Sequence, residues 1–322
     1  MPYESRITSS APQNAGNDRT RKRPASAYST FQSPTNQQLP AMPDDVTGDP
    51  RRAFQFLDLN DRGDKPRETG VTEIRGPYYS VMGPNYLEDV LSTMGHYVDS
   101  LKFAGGSFSL MPETEVQALL DRAHDHDVLV STGGFMEYVL TQGEEAVHQY
   151  IEECARLGFD IIEISAGFIT LPTDDWLGLI EAVQDAGLKA KPEVGIQHGA
   201  GGGATTTEEL EQIGQQDPAQ AIAQAKTFID AGVHQVMVES EGITENVPEM
   251  RTGIPARFID ELGVENLMFE AADPHVFPWY VQNYGPEVNL FVDHSQIVQL
   301  ECLRSGIWGP HDLFGRVQTF DG

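Results

Sequence analysis

The feature that most constrains this chain is a regular alternation. Short β-branched or apolar runs recur near residues 70–75, 97–103, 127–132, 159–165, 188–194, 234–239, 266–271 and 288–293. Between them lie amphipathic stretches of helical length, such as PETEVQALLDRAHDH and DPAQAIAQAKTFIDAG. Many of these stretches end in glycine just before the next run, at Gly95, Gly158, Gly187, Gly232, Gly263 and Gly285. Glycine there is expected to supply a left-handed helix cap at no steric cost. Helix starts are marked at Pro112-Glu113, Thr173-Asp174-Asp175, Asp217-Pro218 and Asp273-Pro274. Eight strand–helix units without a long antiparallel section predict an α/β fold of the closed (β/α)8 (TIM) barrel type. A doubly wound open sheet is the runner-up, but no strand is followed by a GxGxxG phosphate loop at a helix start. The expected organisation is a disordered polar tail over 1–50 and a barrel over 51–322, with Ala53–Leu59 as a short helix closing one barrel end.

Charge then narrows the partners. The net charge is −28, and the tail contributes nothing to it, because five acids there face five bases. A folded part with 44 acids against 16 bases would repel nucleic acid and anionic lipid, so neither is an expected partner. Only six of the 21 bases are lysine, which fits either a salt-accumulating cytosol or an ordinary acidic cytosolic enzyme. The basic cluster Arg19–Arg23 reads as solvated tail charge, with a docking element as the rarer alternative. No stretch approaches the ~20 apolar residues of a membrane helix, and the N-terminus lacks the apolar core of a secretory signal. Two cysteines, Cys154 and Cys302, lie in helix-like segments and read as buried hydrophobes in a reducing compartment. A cytoplasmic location is the expectation.

In a (β/α)8 barrel the chemistry sits where strands run into their following loops. Alternation decides which side chains face the lumen. It turns Lys102, Glu163, Ser165, Lys191, Glu193, Glu239, Glu270 and Asp293 inward, and strand one ends Glu73-Ile74-Arg75. One such acid could merely pair with a neighbouring base. Five carboxylates and two lysines at one mouth are harder to explain that way, because clustered carboxylates repel. The usual relief is interleaved lysines or a divalent cation, and an oxygen-only donor set suits Mg²⁺. No His/Cys spacing suits structural zinc, and His198, His275, His294 and His311 read as polar loop residues. The glycine-rich loop from Gly195 to Thr205 offers backbone N–H groups to an anion, or serves as a lid or plain linker.

Several strand-end motifs resemble those of the phosphosulfolactate synthase family. They are the segments 65–72 (KPRETGVT), 97–107 (YVDSLKFAGGS), 158–165 (GFDIIEIS), 192–195 (PEVG), 284–290 (YGPEVNL) and 300–306 (LECLRSG), collinear over about 65–310. The family includes plant heat-stress-associated relatives. Its founding enzymes are (β/α)8 barrels that add sulfite to phosphoenolpyruvate with Mg²⁺ on the route to coenzyme M. The resemblance implies a carbon–sulfur lyase or synthase acting on a small anionic substrate. Related alternatives are an enzyme acting on another enolisable acid, and a non-catalytic stress protein. It implies active-site positions for Lys102, Glu163 and Glu193. On chemical grounds we expect Lys102, Lys191 and Glu193 as catalytic groups and Glu163, Glu239 and Glu270 as Mg²⁺ ligands. Arg75, Ser165, Gln197, His198 and Asp293 are the expected substrate contacts. The chain departs from the founding pattern at three places. Ile196-Gln197 replaces a Lys-Lys pair, Ile74-Arg75-Gly76 replaces Asp-Lys-Gly, and Ile307-Trp308-Gly309-Pro310 replaces Leu-Arg-Gly-Asp. The same resemblance allows a homo-oligomer; the aromatic segment His275–Tyr280 reads equally as a contact between copies or as packing of helix seven onto the barrel.

Overall fold

A computed structural model describes residues 53–309, apart from Gln55, Asp61, Ala166, Phe168, Thr170 and 197–217. The chain divides into two units, Met1–Ala53 and Phe54–Gly322, and the barrel lies in the second. Expectations for the tail, Arg19–Arg23, Asp217, Gln197, His198, His311 and most of the glycine-rich loop fall outside the described residues.

Eight parallel strands close on themselves in sequence order. They are β1 (Thr72–Arg75), β2 (Ser100–Lys102), β3 (Leu129–Ser131), β4 (Ile161–Ile164), β5 (Lys189–Val194), β6 (Val236–Val238), β7 (Leu267–Glu270) and β8 (Leu290–Asp293). Each lies within one of the eight predicted runs. The described helices are α1 (Pro84–Met94), α2 (Glu113–His124), α3 (Met136–Leu140), α4 (Glu144–Leu157), α5 (Thr173–Asp185), α6 (Ala219–Asp230), α7 (Gly253–Leu262), α8 (Val276–Tyr284) and α9 (Ile297–Arg304). The ring closes where β1 meets β8, with Arg75 opposite Asp293.

Most of the core lies between the outer barrel wall and the helices, where Ile74, Leu101, Val130, Ile162, Ile164, Val236, Phe269 and Val292 meet the apolar stripes of the helices. A much smaller cluster of Val71, Met237, Met268 and Phe291 is separate from it. Odd positions of β4 and even positions of β8 obey the two-residue period that sends one set to the helices and the other inward. The part of the lumen above Phe291 is therefore left to charged residues.

Glycine punctuates the helix ends largely as expected. Gly158 adopts the left-handed conformation at φ 95° and ψ 23° and ends α4. Gly187, Gly232, Gly263 and Gly285 also have positive φ. Gly95 does not, at φ −59°, because a short 3-10 turn, Gly95–Tyr97, continues the chain from α1. The segment Ala53–Leu59 is not a helix. It forms turns with Phe54 at φ 59°, and Phe54 and Phe56 are exposed, so it offers no apolar face to a barrel end.

The strand N-terminal end is instead tied by the following residues and α9. The Asn60 amide donates to the Arg304 carbonyl at 2.7 Å, and Arg62 pairs with Glu301 at 2.9 Å. The fully buried Arg304 donates to Thr72 Oγ1 at 3.0 Å, to the Val288 carbonyl at 2.7 Å and to the Gly70 carbonyl. It is structural. The aromatic segment His275–Tyr280 is not an exposed contact face either. Val276, Phe277 and Tyr280 are buried, with Tyr280 stacked on Phe269 of β7 at 4.7 Å.

Candidate active site at the strand C-terminal ends

Charged side chains from six strands meet inside the barrel. Deepest is Lys191 of β5, whose ammonium lies 2.6 Å from one Glu73 oxygen and 2.8 Å from the other. The same ammonium is 3.1 Å from Glu163 Oε2, and the other Glu163 oxygen is 2.8 Å from the Lys102 ammonium. Lys102 then reaches Glu270 of β7 at 3.4 Å. The result is an alternating chain, Glu73–Lys191–Glu163–Lys102–Glu270. Glu73, Lys191 and Glu163 are each at most 1% exposed. The Glu163 contacts are electrostatic, since neither of its oxygens meets hydrogen-bond geometry.

Burying charge is costly unless each ion is compensated. The protonation states follow that rule. Burial alone would lower the Lys102 pKa, but the surrounding Glu163, Glu270, Glu193 and Glu73 carboxylates more than offset it and hold the ammonium charged. Glu193 is raised as well, and for a carboxyl that favours the neutral form. Burial and then the Glu163 charge push its carboxyl well above the ordinary range. Glu239 is raised too, by burial and by its neighbours Glu270 and Glu193. Burial works against the ionised form of Glu270, yet Lys102 and a hydrogen bond from Glu239 keep its pKa low. The Glu239–Glu270 pair thus shares a proton, with Glu239 its holder.

Around this pair, Ser240 binds the acids together. Its N–H donates to Glu239 Oε1 at 2.8 Å, and its hydroxyl lies 2.8 Å from Glu245 and 3.2 Å from Glu270. A cleft of about 520 Å³ opens next to them, lined among others by Arg75, Tyr79, Glu270, Asp293 and His294. The Arg75 guanidinium lies 4.8 Å from the Tyr79 ring centre and 4.9 Å from that of Phe291. The Lys102 ammonium is 4.4 Å from the Phe291 ring, so this one aromatic adjoins both cations.

The predicted residues therefore separate into groups. Lys102, Glu163, Glu193, Glu239 and Glu270 come together at the mouth, and Arg75 borders the adjoining cleft. Lys191 is enclosed by its two carboxylates below them. Ser165 is buried just past β4, close enough to the neighbouring loop that a Cβ added at Gly134 would lie 2.9 Å from its Oγ. Asp293 lines the cleft but is internally engaged, accepting from the Ser295 N–H at 3.0 Å and the Ser295 hydroxyl at 2.6 Å. Sequence reasoning left Glu73, Tyr79 and Ser240 unassigned. For Glu73 the signal existed, since it shares strand parity with Arg75 in β1.

Among the described residues, the Glu239–Glu270 pair is the best chemical fit for a divalent cation. Mg²⁺ is commonly held by one or two carboxylates plus waters and substrate oxygens. The Glu239–Glu270 pair matches that pattern, being two hard-oxygen donors that currently share a proton a cation would displace. Glu163 fits less well, because both of its oxygens face ammonium groups. Among the described residues, no three His, Cys, Asp or Glu side chains form a ready-made ligand cluster.

Fold and site together define a (β/α)8 barrel with an acid–lysine constellation at its strand C-terminal ends, where barrels of this architecture carry their active sites. Comparison with known proteins gives the family. The (2R)-phospho-3-sulfolactate synthase (ComA) family model matches residues 60–310, and the chain belongs to that family. It is 39% identical to protein HEAT-STRESS-ASSOCIATED 32 of Arabidopsis thaliana over 258 residues, 77% of this chain and 90% of the plant protein. It is 27% identical to phosphosulfolactate synthase of Methanothermobacter thermautotrophicus, over 82% of this chain and 98% of the relative. Among solved structures, Rhizobium etli pyruvate carboxylase T882A aligns with a TM-score of 0.53 at 11% identity. That alignment covers 79% of this chain and 26% of the carboxylase chain, a likeness of fold alone.

Proposed function

We propose that this chain is a Mg²⁺-dependent lyase of the phosphosulfolactate synthase type, joining a nucleophile to an enolpyruvyl acid, with sulfite and phosphoenolpyruvate as the named pair. The observation that carries the reading is the Lys102–Glu163–Glu193–Glu239–Glu270 constellation beside an open cleft. Holding so many buried ionisable groups in one place works against stability, and a barrel needed only as a scaffold would fill its lumen with apolar side chains. Family membership supplies the reaction type.

In this reading the sulfite sulfur bonds to the methylene carbon, the double-bond electron pair moves onto C2 and the acid carboxylate, and C2 takes up one proton. Lys102, held charged, would stabilise the negative charge that develops on the acid. Glu193, held protonated, is the group with a proton to give at C2. Glu239 and Glu270 would hold Mg²⁺, which when bound neutralises substrate oxygens. Lys191 takes no direct part. It fixes Glu163, and through it Lys102.

The test is direct. Protein, phosphoenolpyruvate, sulfite and Mg²⁺ are mixed, and loss of enol absorbance is followed at low and at high salt. Turnover that falls about 10²–10⁴-fold in Glu193→Gln is the expected result. No turnover of the unaltered protein at either salt concentration would overturn the proposal.

A further inference from the structure

The cations at this mouth are treated unequally. Lys102 and Lys191 each contact two carboxylates within 3.4 Å. Arg75, beside them at the end of β1, has its Cα paired with that of Lys102 in the sheet register. Among the described residues its guanidinium nevertheless has no carboxylate within ion-pair distance, Glu270 acting on it only through space, and its buried Nε has no hydrogen-bond partner. In a chain with 49 acids against 21 bases, an arginine left unpaired in a cleft wall calls for an explanation. Its guanidinium is flanked by two rings, Tyr79 and Phe291. Stacking holds a guanidinium without using its N–H donors, which stay available for a bidentate partner.

The loops after β7 and β8, which share the cleft with Arg75, carry acids. Barrels of this architecture often take a phosphate on these loops. Here two of their backbone donors are already engaged by aspartates. Asp273 accepts from the His275 N–H at 2.7 Å, and Asp293 accepts from the Ser295 N–H at 3.0 Å. Both aspartates line the cleft and Asp293 is the register partner of Arg75, so an incoming phosphate, largely a dianion, meets more repulsion there than a singly charged carboxylate.

We propose that Arg75 is the subsite for one planar carboxylate of the substrate, and that Tyr79 is the positioning residue that keeps the guanidinium fork turned to receive it. This rests on the functional reading above, because it supplies the seat for the acid's carboxyl end. It also gives a role to a departure in the sequence: a planar fork on β1 selects a planar two-oxygen anion, where an ammonium would act as a point charge. Tyr79 is 73% exposed, so its ring acts on Arg75 and contributes little to the core.

The experiment measures binding without turnover. Full-length protein is titrated calorimetrically with pyruvate and, separately, with inorganic phosphate, both with Mg²⁺ removed by chelation. Pyruvate is expected to bind and phosphate to bind at least tenfold more weakly. Arg75→Lys should weaken pyruvate at least tenfold. Tyr79→Leu should weaken it severalfold with the unfolding midpoint unchanged, and Tyr79→Phe should restore it, since the ring alone does the holding. Pyruvate binding that is absent, that is no tighter than phosphate, or that is insensitive to Arg75→Lys overturns the subsite. Pyruvate binding that needs Arg75, in a protein that turns over neither sulfite nor phosphoenolpyruvate, leaves the subsite standing and removes only the assigned reaction.

Discussion

Lys191→Met tests the buried charge chain most directly. The Lys191 ammonium lies 2.6 Å from Glu73 and 3.1 Å from Glu163, in a region with at most 1% exposure. At an effective dielectric of about 20, each contact is worth roughly 5–6 kcal/mol of gross attraction. Desolvation of the three ions offsets most of that, so what matters is the state left behind. Removing the lysine strands Glu73 in the lumen and leaves Glu163 with Lys102 alone, and breaking a buried pair in this way typically costs about 3–5 kcal/mol. That is a large part of the roughly 5–15 kcal/mol that holds a domain together. The penalty also depends on pH. In the variant the stranded Glu73 carboxyl is relieved by taking up a proton in the folded protein, while the unfolded chain has released it by neutral pH. The folded state then binds more protons than the unfolded state, so the variant's stability falls as pH rises, by up to about 1.4 kcal/mol per pH unit for each such carboxyl. Urea unfolding at pH 5.5 and pH 8 reads both effects, with wild-type protein as the control. Glu73→Gln added to Lys191→Met should recover part of the loss, because it removes one stranded charge. A loss below about 1 kcal/mol that is equal at both pH values would refute the charge-chain argument.

Two further outcomes follow from side chains outside the mouth. Arg304→Lys keeps the charge but cannot serve the Thr72, Val288 and Gly70 oxygens together, so thermal unfolding should show a loss of about 3 kcal/mol; an unchanged midpoint would contradict the structural role. The Cys154 thiol is buried and pushed up to about 12, chiefly by burial, so a thiol reagent at pH 8 should leave it unmodified until denaturant is added; rapid reaction of both cysteines in folded protein would contradict its placement.

The fold was legible in the sequence because its signals are local. Each of the eight strands falls inside a run marked by apolar content and, in six cases, by a glycine before it, and the strand-end carboxylates follow from a two-residue period. What the sequence hid was pairing across the lumen. Glu73 and Lys191 are 118 residues apart, and only closure of the barrel brings them to hydrogen-bond distance. The same holds for Lys102 and Glu270, separated by 168 residues. Lys191 therefore read as a catalytic group like Lys102, although its partners enclose it. Asp293 was placed correctly at the cleft, but its side chain is turned to its own loop by a capping interaction with Ser295 that residue type alone does not specify. The segment Ala53–Leu59 shows the converse error, since Phe54, Phe56 and Leu57 suggested a buried helix and are exposed in turns.

The crossing of those ion pairs through the lumen has a consequence for how the polypeptide reaches its final state. A nascent chain that has produced β1 through β4 holds Glu73, Lys102 and Glu163 but lacks Lys191 and Glu270. In such a half sheet Glu73 has no lysine beside it and Glu163 has Lys102 alone. The second half supplies Lys191 and Glu270, so the alternating row of charges is complete only when the whole ring is present.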